Sequence, residues 1–284
     1  MSWNCILERV AQTKSTNDDL LGRWRAGELI EPVARIAQNQ TAGKGRAGRS
    51  WLTNPEDSLS FSLAYPFQMS PAELSGLSLL VGLIVLQGIA DALGIEKSAL
   101  YAQGLRLKWP NDLLLNNAKL GGILIEGGQA KASEPTWMII GVGINLKNAA
   151  DIQNSLSTEA SFNIASLDQL LPSSKKLPDT EFIWLQLIES FEHHLPIFDQ
   201  NGFALYQDQW MQWDAFKETE VCISGVGKDP VFGIAKGVDS SGALLLEQET
   251  KTIAVHAGDV SLRARSCVCI YCLMLETPGL NGLQ

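Results

Sequence analysis

The sequence is short of cysteine, of positive charge and of long apolar runs, and each shortage removes a class of protein. Five cysteines in 284 residues are an odd number and a sparse one. They do not make a disulfide framework, and they fit a reducing compartment. Cys267, Cys269 and Cys272 lie close together, but no second Cys-x2-Cys pair or nearby histidine completes a zinc site. The formal net charge is −9, which disfavours general binding to DNA or RNA because that affinity rests on neutralising phosphates. A basic cluster inside so acidic a chain therefore stands out as a candidate anion site. The longest apolar stretch, Leu74 to Ala90, falls just short of the ~18 residues of a membrane span and contains Ser, Gly and Gln. It is preceded by Ser70-Pro71-Ala72-Glu73, a capping box with Pro at the first helical position. The pattern predicts a buried core helix from about 71 to 93. Glu8 and Arg9 stand where a signal peptide needs its apolar core, so the expected location is cytoplasmic. His193, His194 and His256 read as solvated side chains.

What is present is ordinary globular material: 45% hydrophobic and 19% charged residues. The length exceeds what one core usually serves, so two domains are expected. A short strand at 5–12 leads to Ser15-Thr16-Asn17, which can cap a helix over about 18–26. Alternating stretches at 33–40 and 59–65 read as strands. Strands are also predicted at 105–109, 112–115 and 120–126, the last two joined by the turn Asn116-Asn117-Ala118-Lys119, and at 137–146. Residues 147–178 have weak periodicity and read as a long surface loop. Helical pattern resumes over 179–198 and 202–215. From 218 to 263 short strands alternate with Gly- and Asp-rich turns, which suggests a small β-barrel.

Between the second and third predicted strands runs Thr41-Ala-Gly-Lys-Gly-Arg-Ala-Gly-Arg-Ser-Trp51. Its Gly43 and Gly48-Arg49-Ser50 match a phosphate-binding P-loop in all but one letter, Arg for Lys. A P-loop needs a helix starting directly after it, and Asn54-Pro55 excludes one. Three basic residues with no repeated basic–aromatic pattern make a poor nucleic-acid patch. The remaining readings are a solvated loop, or a glycine-rich cationic loop that wraps an anionic small molecule. Three other segments carry chemistry: Lys14–Asn17, Lys108–Glu126 with two lysines, an Asn-Asp pair and Gly121-Gly122, and Gly141–Asn145.

In this order and spacing the segments resemble the biotin–protein ligases. That family shows Ser-Thr-Asn, then Gln ahead of a Gly-(Arg/Lys)-Gly-Arg-x-Gly-Arg-x-Trp loop. Lys-Trp-Pro-Asn-Asp, Lys-Leu-x-Gly-Ile-Leu-x-Glu and Gly-x-Gly-Ile-Asn follow. Here these are 15–17, Gln40, 43–51, 108–112, 119–126 and 141–145. The resemblance covers roughly residues 1–263. It implies an α+β fold with a mixed, largely antiparallel sheet and helices, a class II synthetase-like catalytic domain over 1–216. A small SH3-like β-barrel over 217–263 would follow, leaving an apolar tail, 264–284, without a functional account. Only fourteen residues precede Ser15, so the resemblance implies a ligase without a DNA-binding repressor domain.

The implied reaction forms biotinyl-5′-AMP from biotin and ATP with Mg2+, then moves biotin to a lysine of the biotin carboxyl carrier protein of acetyl-CoA carboxylase. Arg46 and Lys119 would be catalytic. Ser15, Thr16, Asn17, Gln40, Lys44, Gly45, Arg46, Lys119 and Gly122 would contact biotin. Lys44, Arg46, Arg49, Trp51, Asn111 and Asn145 would contact the nucleotide, and Asp112 would contact Mg2+. No DNA or membrane partner is implied. The family holds both monomers and dimers, so a homodimer stays open. The alternative within the same fold is a lipoate or octanoate ligase or transferase. Two departures from the commonest family pattern are Lys44, where many members have Arg, and Gly121, where others have Ala. Lys44 lacks the bidentate reach of arginine.

Overall fold

The computed structural model describes residues 4–155, 163–225, 229–258 and 260–265. The three clustered cysteines and most of the apolar tail lie outside them. The chain divides between Ala215 and Phe216 into two compact units, with Ser240–Gly242 counted with the first.

The first unit is a seven-stranded mixed sheet with helices. Its strands are β1 (Ile6–Thr13), β2 (Val33–Gln40), β3 (Ser58–Phe67), β4 (Leu105–Lys108), β5 (Asp112–Leu115), β6 (Ala118–Gly128) and β7 (Thr136–Asn145). They lie in the order β1-β2-β3-β7-β6-β5-β4. Only β1 and β2 run parallel; the other neighbours are antiparallel. The β5–β6 turn puts Asn116 and Asn117 at φ 50° and 64°, the left-handed pair that a two-residue hairpin asks for and that asparagine tolerates.

Helix α1 (Thr16–Arg25) follows β1 and is capped by Ser15, whose side chain accepts from the Asp18 N–H. A network of charges ties this helix to the two strands beside it. Arg35 on β2 donates to Asp19 on α1 and to Glu8 on β1, and Arg23 on α1 also reaches Glu8. Helix α2 (Leu77–Leu93) is the long apolar one, with fourteen of its residues buried. It begins six residues later than the capping box suggests. Glu73 does accept from the Ser70 N–H and hydroxyl, but the segment it closes is a turn. The helix itself starts from Gly76 at φ +83°, a backbone state that glycine reaches without strain. Among the described residues no helix is long and apolar enough to cross a membrane.

Four further helices belong to the unit, the first three being α3 (Lys97–Ala102), which the sequence pattern did not reveal, α4 (Ala149–Ser155) and α5 (Thr180–Asn201). Helix α6 (Gln207–Trp213) closes the chain's path through this unit. The stretch read as a long surface loop contains α4 and a 3-10 turn at Leu167–Leu170. It buries Ala149, Ile152, Ala165, Ser166, Leu167 and Leu170. Too few of its apolar residues repeat at one period to make the pattern visible.

The second unit is a small antiparallel sheet of β8 (Glu220–Ser224), β9 (Val231–Val238), β10 (Leu244–Gln248), β11 (Lys251–Val255) and β12 (Ser261–Ala264), in the order β11-β10-β9-β8-β12. Val221, Ile223, Ala235, Val238, Leu244, Leu246, Val255 and Leu262 form its buried face.

Helices α2 and α5 pack together through Gly88. A Cβ added there would lie 2.7 Å from Leu187 Cδ2 and 2.9 Å from its Cα, and backbone cannot give way cheaply. Gly88→Ala is expected to push the helices apart and to cost about 1–3 kcal/mol, read as a lowered midpoint in urea unfolding.

Candidate active site

The site is built on one face of β3, β7 and β6, where the side chains are small. Antiparallel register sets Ser60 opposite Gly143 and Ser62 opposite Gly141. On the other flank Gly122 pairs with Gly143 and Leu124 with Gly141. Strand residues two apart share a face, so Ser58, Ser60 and Ser62 look the same way while Leu59, Phe61 and Leu63 fill the core behind.

The small face lets two other pieces of chain come close. A Cβ at Gly141 would lie 2.4 Å from Asn17 Oδ1, and one at Gly143 would lie 2.4 Å from the Trp51 ring. The start of α1 and the end of the cationic loop thus rest directly on the sheet. Trp51 also donates its indole N–H to Ser60 Oγ at 3.1 Å.

The loop itself is a tight hairpin. Lys44 pairs with Ser50, Gly45 N donates to Arg49 O at 2.7 Å, and Trp51 N donates to Gly43 O at 2.8 Å. Gly43 has to be glycine: a Cβ would meet Trp51 O at 2.5 Å. At the tip, Ala47 and Gly48 take φ values of 54° and 71°.

The cations reach different partners. Arg46 donates to Asn111 Oδ1 at 2.8 Å, and Asn111 in turn donates to Ile123 O at 2.8 Å. Lys119 sits 2.7 Å from Asp112 Oδ1, and Lys108 sits 3.8 Å from Asp112 Oδ2. Burial alone would push the Asp112 carboxyl up. The ammoniums of Lys119 and Lys108, with Arg49 behind them, outweigh that and hold it below its ordinary value. Lys44 does not turn to this cluster; its ammonium is 2.7 Å from Asp18 Oδ1 on α1.

At the other end the residues are neutral and hydrogen-bonding. Ser15, Thr16 and Asn17 are buried at the positive end of α1. Gln40 Oε1 accepts from the Thr16 N–H at 2.8 Å and lies 3.1 Å from Thr16 Oγ1. Asn17 donates to Glu126 Oε2 at 3.0 Å.

All fourteen residues singled out in the sequence line one pocket: Ser15, Thr16, Asn17, Gln40, Lys44, Gly45, Arg46, Arg49, Trp51, Asn111, Asp112, Lys119, Gly122 and Asn145. Two of them face differently from expectation. Lys44 is engaged by Asp18. Asn145 is buried and spends its amide on Lys119 O and Ala165 O, bracing the strand beside Lys119. Sequence reading missed Ser60, Ser62, Ile152 and Ile164, which line the same pocket. The serines carried a signal, since they alternate on one parity of a strand. Ile152 and Ile164 carried none, because they fall in the segment without periodicity.

Asp112 is the carboxylate nearest the cationic end of the pocket. No group of three His, Cys, Asp or Glu side chains comes together among the described residues, and Asp112 is already engaged by two ammoniums. What the arrangement can do is bind an anion at the Arg46–Lys119 end and a neutral donor–acceptor group at the Thr16–Gln40 end.

Residues 10–145 match the model of the biotin/lipoate A/B protein ligase family, and residues 218–263 match the biotin protein ligase C-terminal domain. The bifunctional ligase/repressor BirA of Escherichia coli is 34% identical over 250 residues, covering 88% of this chain and 72% of that protein. The biotin–[acetyl-CoA-carboxylase] ligase of Mycobacterium tuberculosis is 32% identical, covering 89% and 88%. Its counterpart in Paracoccus denitrificans is 30% identical, covering 88% and 98%. Among solved structures, the biotin protein ligase of Aquifex aeolicus in complex with biotin and ATP shares the fold at a TM-score of 0.69 and 24% identity, covering 92% of this chain and 99% of that one.

Asp112 gives a pH-dependent test. With its folded value held below the ordinary 3.8, its ion pairs stabilise the fold above that pH and are lost as pH falls through the folded value. Asp112→Asn removes the carboxylate that pairs with Lys119 and Lys108, a loss on the order of 3 kcal/mol. The variant is expected to melt lower than wild type at pH 7 and pH 5, with the gap closing below pH 3.8. A gap that persists unchanged into that acid range would show that the carboxylate's charge is not what matters.

Proposed function

The chain belongs to the biotin–protein ligases, and on that premise we propose that it makes biotinyl-5′-AMP from biotin and ATP and passes biotin to one lysine of a biotin carboxyl carrier protein. The observation that supports this most is the pairing of two unlike ends in one pocket. Arg46 and Lys119 stand at one end. The neutral cluster of Ser15, Thr16 and Gln40, suited to a ureido group, stands at the other.

In the first step a carboxylate oxygen of biotin attacks the α-phosphorus of ATP. The new O–P bond forms as the α–β phosphoanhydride bond breaks, and pyrophosphate leaves. Two anions have to approach each other, so positive charge fixed in advance lowers the barrier. Arg46 and Lys119 carry this role. Arg46 is held by Asn111 and Lys119 by Asp112, so neither has to be brought into place during the reaction. In the second step the ε-amine of the carrier lysine attacks the acyl carbon. The C–N bond forms, the bond to AMP breaks, and the amine loses its proton. Mg2+ enters as part of the ATP substrate, on its phosphates, and no protein-held metal is invoked.

The backbone at Gly122 suits the apolar body of biotin, which lies where a larger side chain would obstruct it, while Gly141 and Gly143 are covered by Asn17 and Trp51. Trp51 and Asn111 take the nucleotide side, with Arg49 near the phosphates. Lys44 joins them only by leaving Asp18.

Radiolabelled biotin, ATP, Mg2+ and a carrier domain are expected to yield a labelled carrier. Absence of ATP-dependent labelling defeats the reading, and competition by lipoate but not by biotin would move it to the lipoate or octanoate branch. Arg46→Ala and Lys119→Ala are each expected to lower the rate of biotin-dependent pyrophosphate release by ~10²–10³. Folding of the variants is checked by circular dichroism.

A further inference from the structure

Under the neutral end of the pocket, two hydroxyls and one amide form a chain whose protons can be counted. Asn17 cannot be turned over: its Nδ2 faces Glu126 Oε2 at 3.0 Å and the Leu124 carbonyl at 3.5 Å, both acceptors. Its Oδ1 therefore faces Ser62 Oγ, at 2.6 Å, and carries no proton. The proton in that bond comes from Ser62. A serine hydroxyl has only one. Ser62 Oγ also lies 2.7 Å from Thr16 Oγ1, so the proton in this second bond comes from Thr16. Gln40 Oε1, 3.1 Å from Thr16 Oγ1, is the other acceptor within reach of that hydroxyl, but it already accepts from the Thr16 backbone N–H at 2.8 Å, whereas the shorter Ser62 contact has no other proton to fill it.

The consequence reaches the ligand. With its proton directed down to Ser62, Thr16 offers the pocket only its lone pairs, and so faces a ligand as an acceptor. The neighbouring groups have the opposite character. Ser15 Oγ accepts from the Asp18 N–H, which leaves its own proton for donation. Gln40, with its carbonyl turned to Thr16, presents its amide nitrogen.

We infer that Ser62 is a specificity-determining positioning residue, which acts through Thr16 to demand an N–H on the ligand at that point. Ser62 is itself buried and works from beneath. The inference rests on the reading of this site as the one that holds biotin, whose ureido ring supplies such an N–H. It adds a rejection rule: a ring oxygen in that place meets the Thr16 lone pairs, and two acceptors face each other without a proton.

The test compares biotin with a cyclic carbamate analogue in which one ureido N–H is replaced by oxygen, taking for each the position that faces Thr16. Titration calorimetry on the intact protein gives a Kd for each ligand and hence a selectivity ratio. Wild type is expected to favour biotin by roughly 10²-fold or more, as sites built to bond an N–H do. Ser62→Ala frees the Thr16 hydroxyl to turn and donate. Its ratio is expected to fall about tenfold, mainly because the carbamate binds better relative to biotin. Asn17→Leu keeps Ser62 but removes the oxygen that fixes its proton, and is expected to lower the ratio too. In a Thr16→Val background Ser62→Ala should change the ratio no further, since coupled residues are not additive. A purely structural role for Ser62 predicts equal losses for both ligands, or a Ser62→Ala effect that adds to that of Thr16→Val. Either result overturns the inference while leaving biotin binding by wild type intact. Failure of wild type to bind biotin at all would overturn the functional reading, and this inference with it.

Discussion

Close approach to the sheet is the constraint on which the rest of the site depends. Ser60 and Ser62 on β3 face Gly143 and Gly141 on β7, and the absence of two Cβ atoms makes room for Asn17 and Trp51. A methyl group at either glycine would stand 2.4 Å from the residue that now fills its place. Neither contact could then survive. The start of α1 brings the neutral hydrogen-bonding groups, and the loop ending at Trp51 brings Lys44, Arg46 and Arg49 to the pocket that Lys119 enters from β6. Both segments are therefore held in place by backbone geometry in β3 and β7. The apolar parity of those strands is buried against the helices, so the face cannot shift by a residue without exchanging core for pocket.

A second constraint is electrostatic. Cations gathered at one end of a pocket repel one another. Asp112 answers this for Lys119 and Lys108, at 2.7 and 3.8 Å, and its depressed titration is the reciprocal of that service. Arg46 is held differently, through the neutral Asn111, which orients the guanidinium.

Much of this was legible in the sequence, and the reasons it was differ by residue. The loop announced itself by three cations among three glycines in an acidic chain, and the Asn54-Pro55 turn excluded the commoner phosphate loop. Strand boundaries followed from period-two alternation, so β2, β3 and the β5–β6 hairpin lie where expected. The start of α2 did not, because a real hydrogen-bonded turn at Ser70–Glu73 imitates a helix cap. The segment around α4 was unreadable for the opposite reason: its buried residues are too few and too irregularly spaced to define a face. Ser62 was visible only as one letter of an alternating strand. Its part in the site depends on register with Gly141 and on the approach of Asn17, and neither is local in sequence.

Lys44 and Arg46, two residues apart on one loop, illustrate how far motif and geometry diverge. The motif treats them alike. In the structure Lys44 is paired with Asp18, with side chains 50% and 38% exposed, and such a pair contributes only ~0–1 kcal/mol. A contact that weak is readily exchanged for a phosphate or carboxylate, which a lysine can follow because its stem is flexible. Arg46 lies in the turn at the loop's tip and is braced by Asn111, which is itself bonded to the backbone of β6 at Ile123. Its geometry is set before any ligand arrives. On the reading proposed above, Arg46 would act mainly on the barrier, whereas Lys44, which has to trade one anion for another, would act mainly on affinity. Having lysine rather than arginine at position 44 is consistent with that division. The rigid fork of an arginine gains most where its target does not move, and this cation has two.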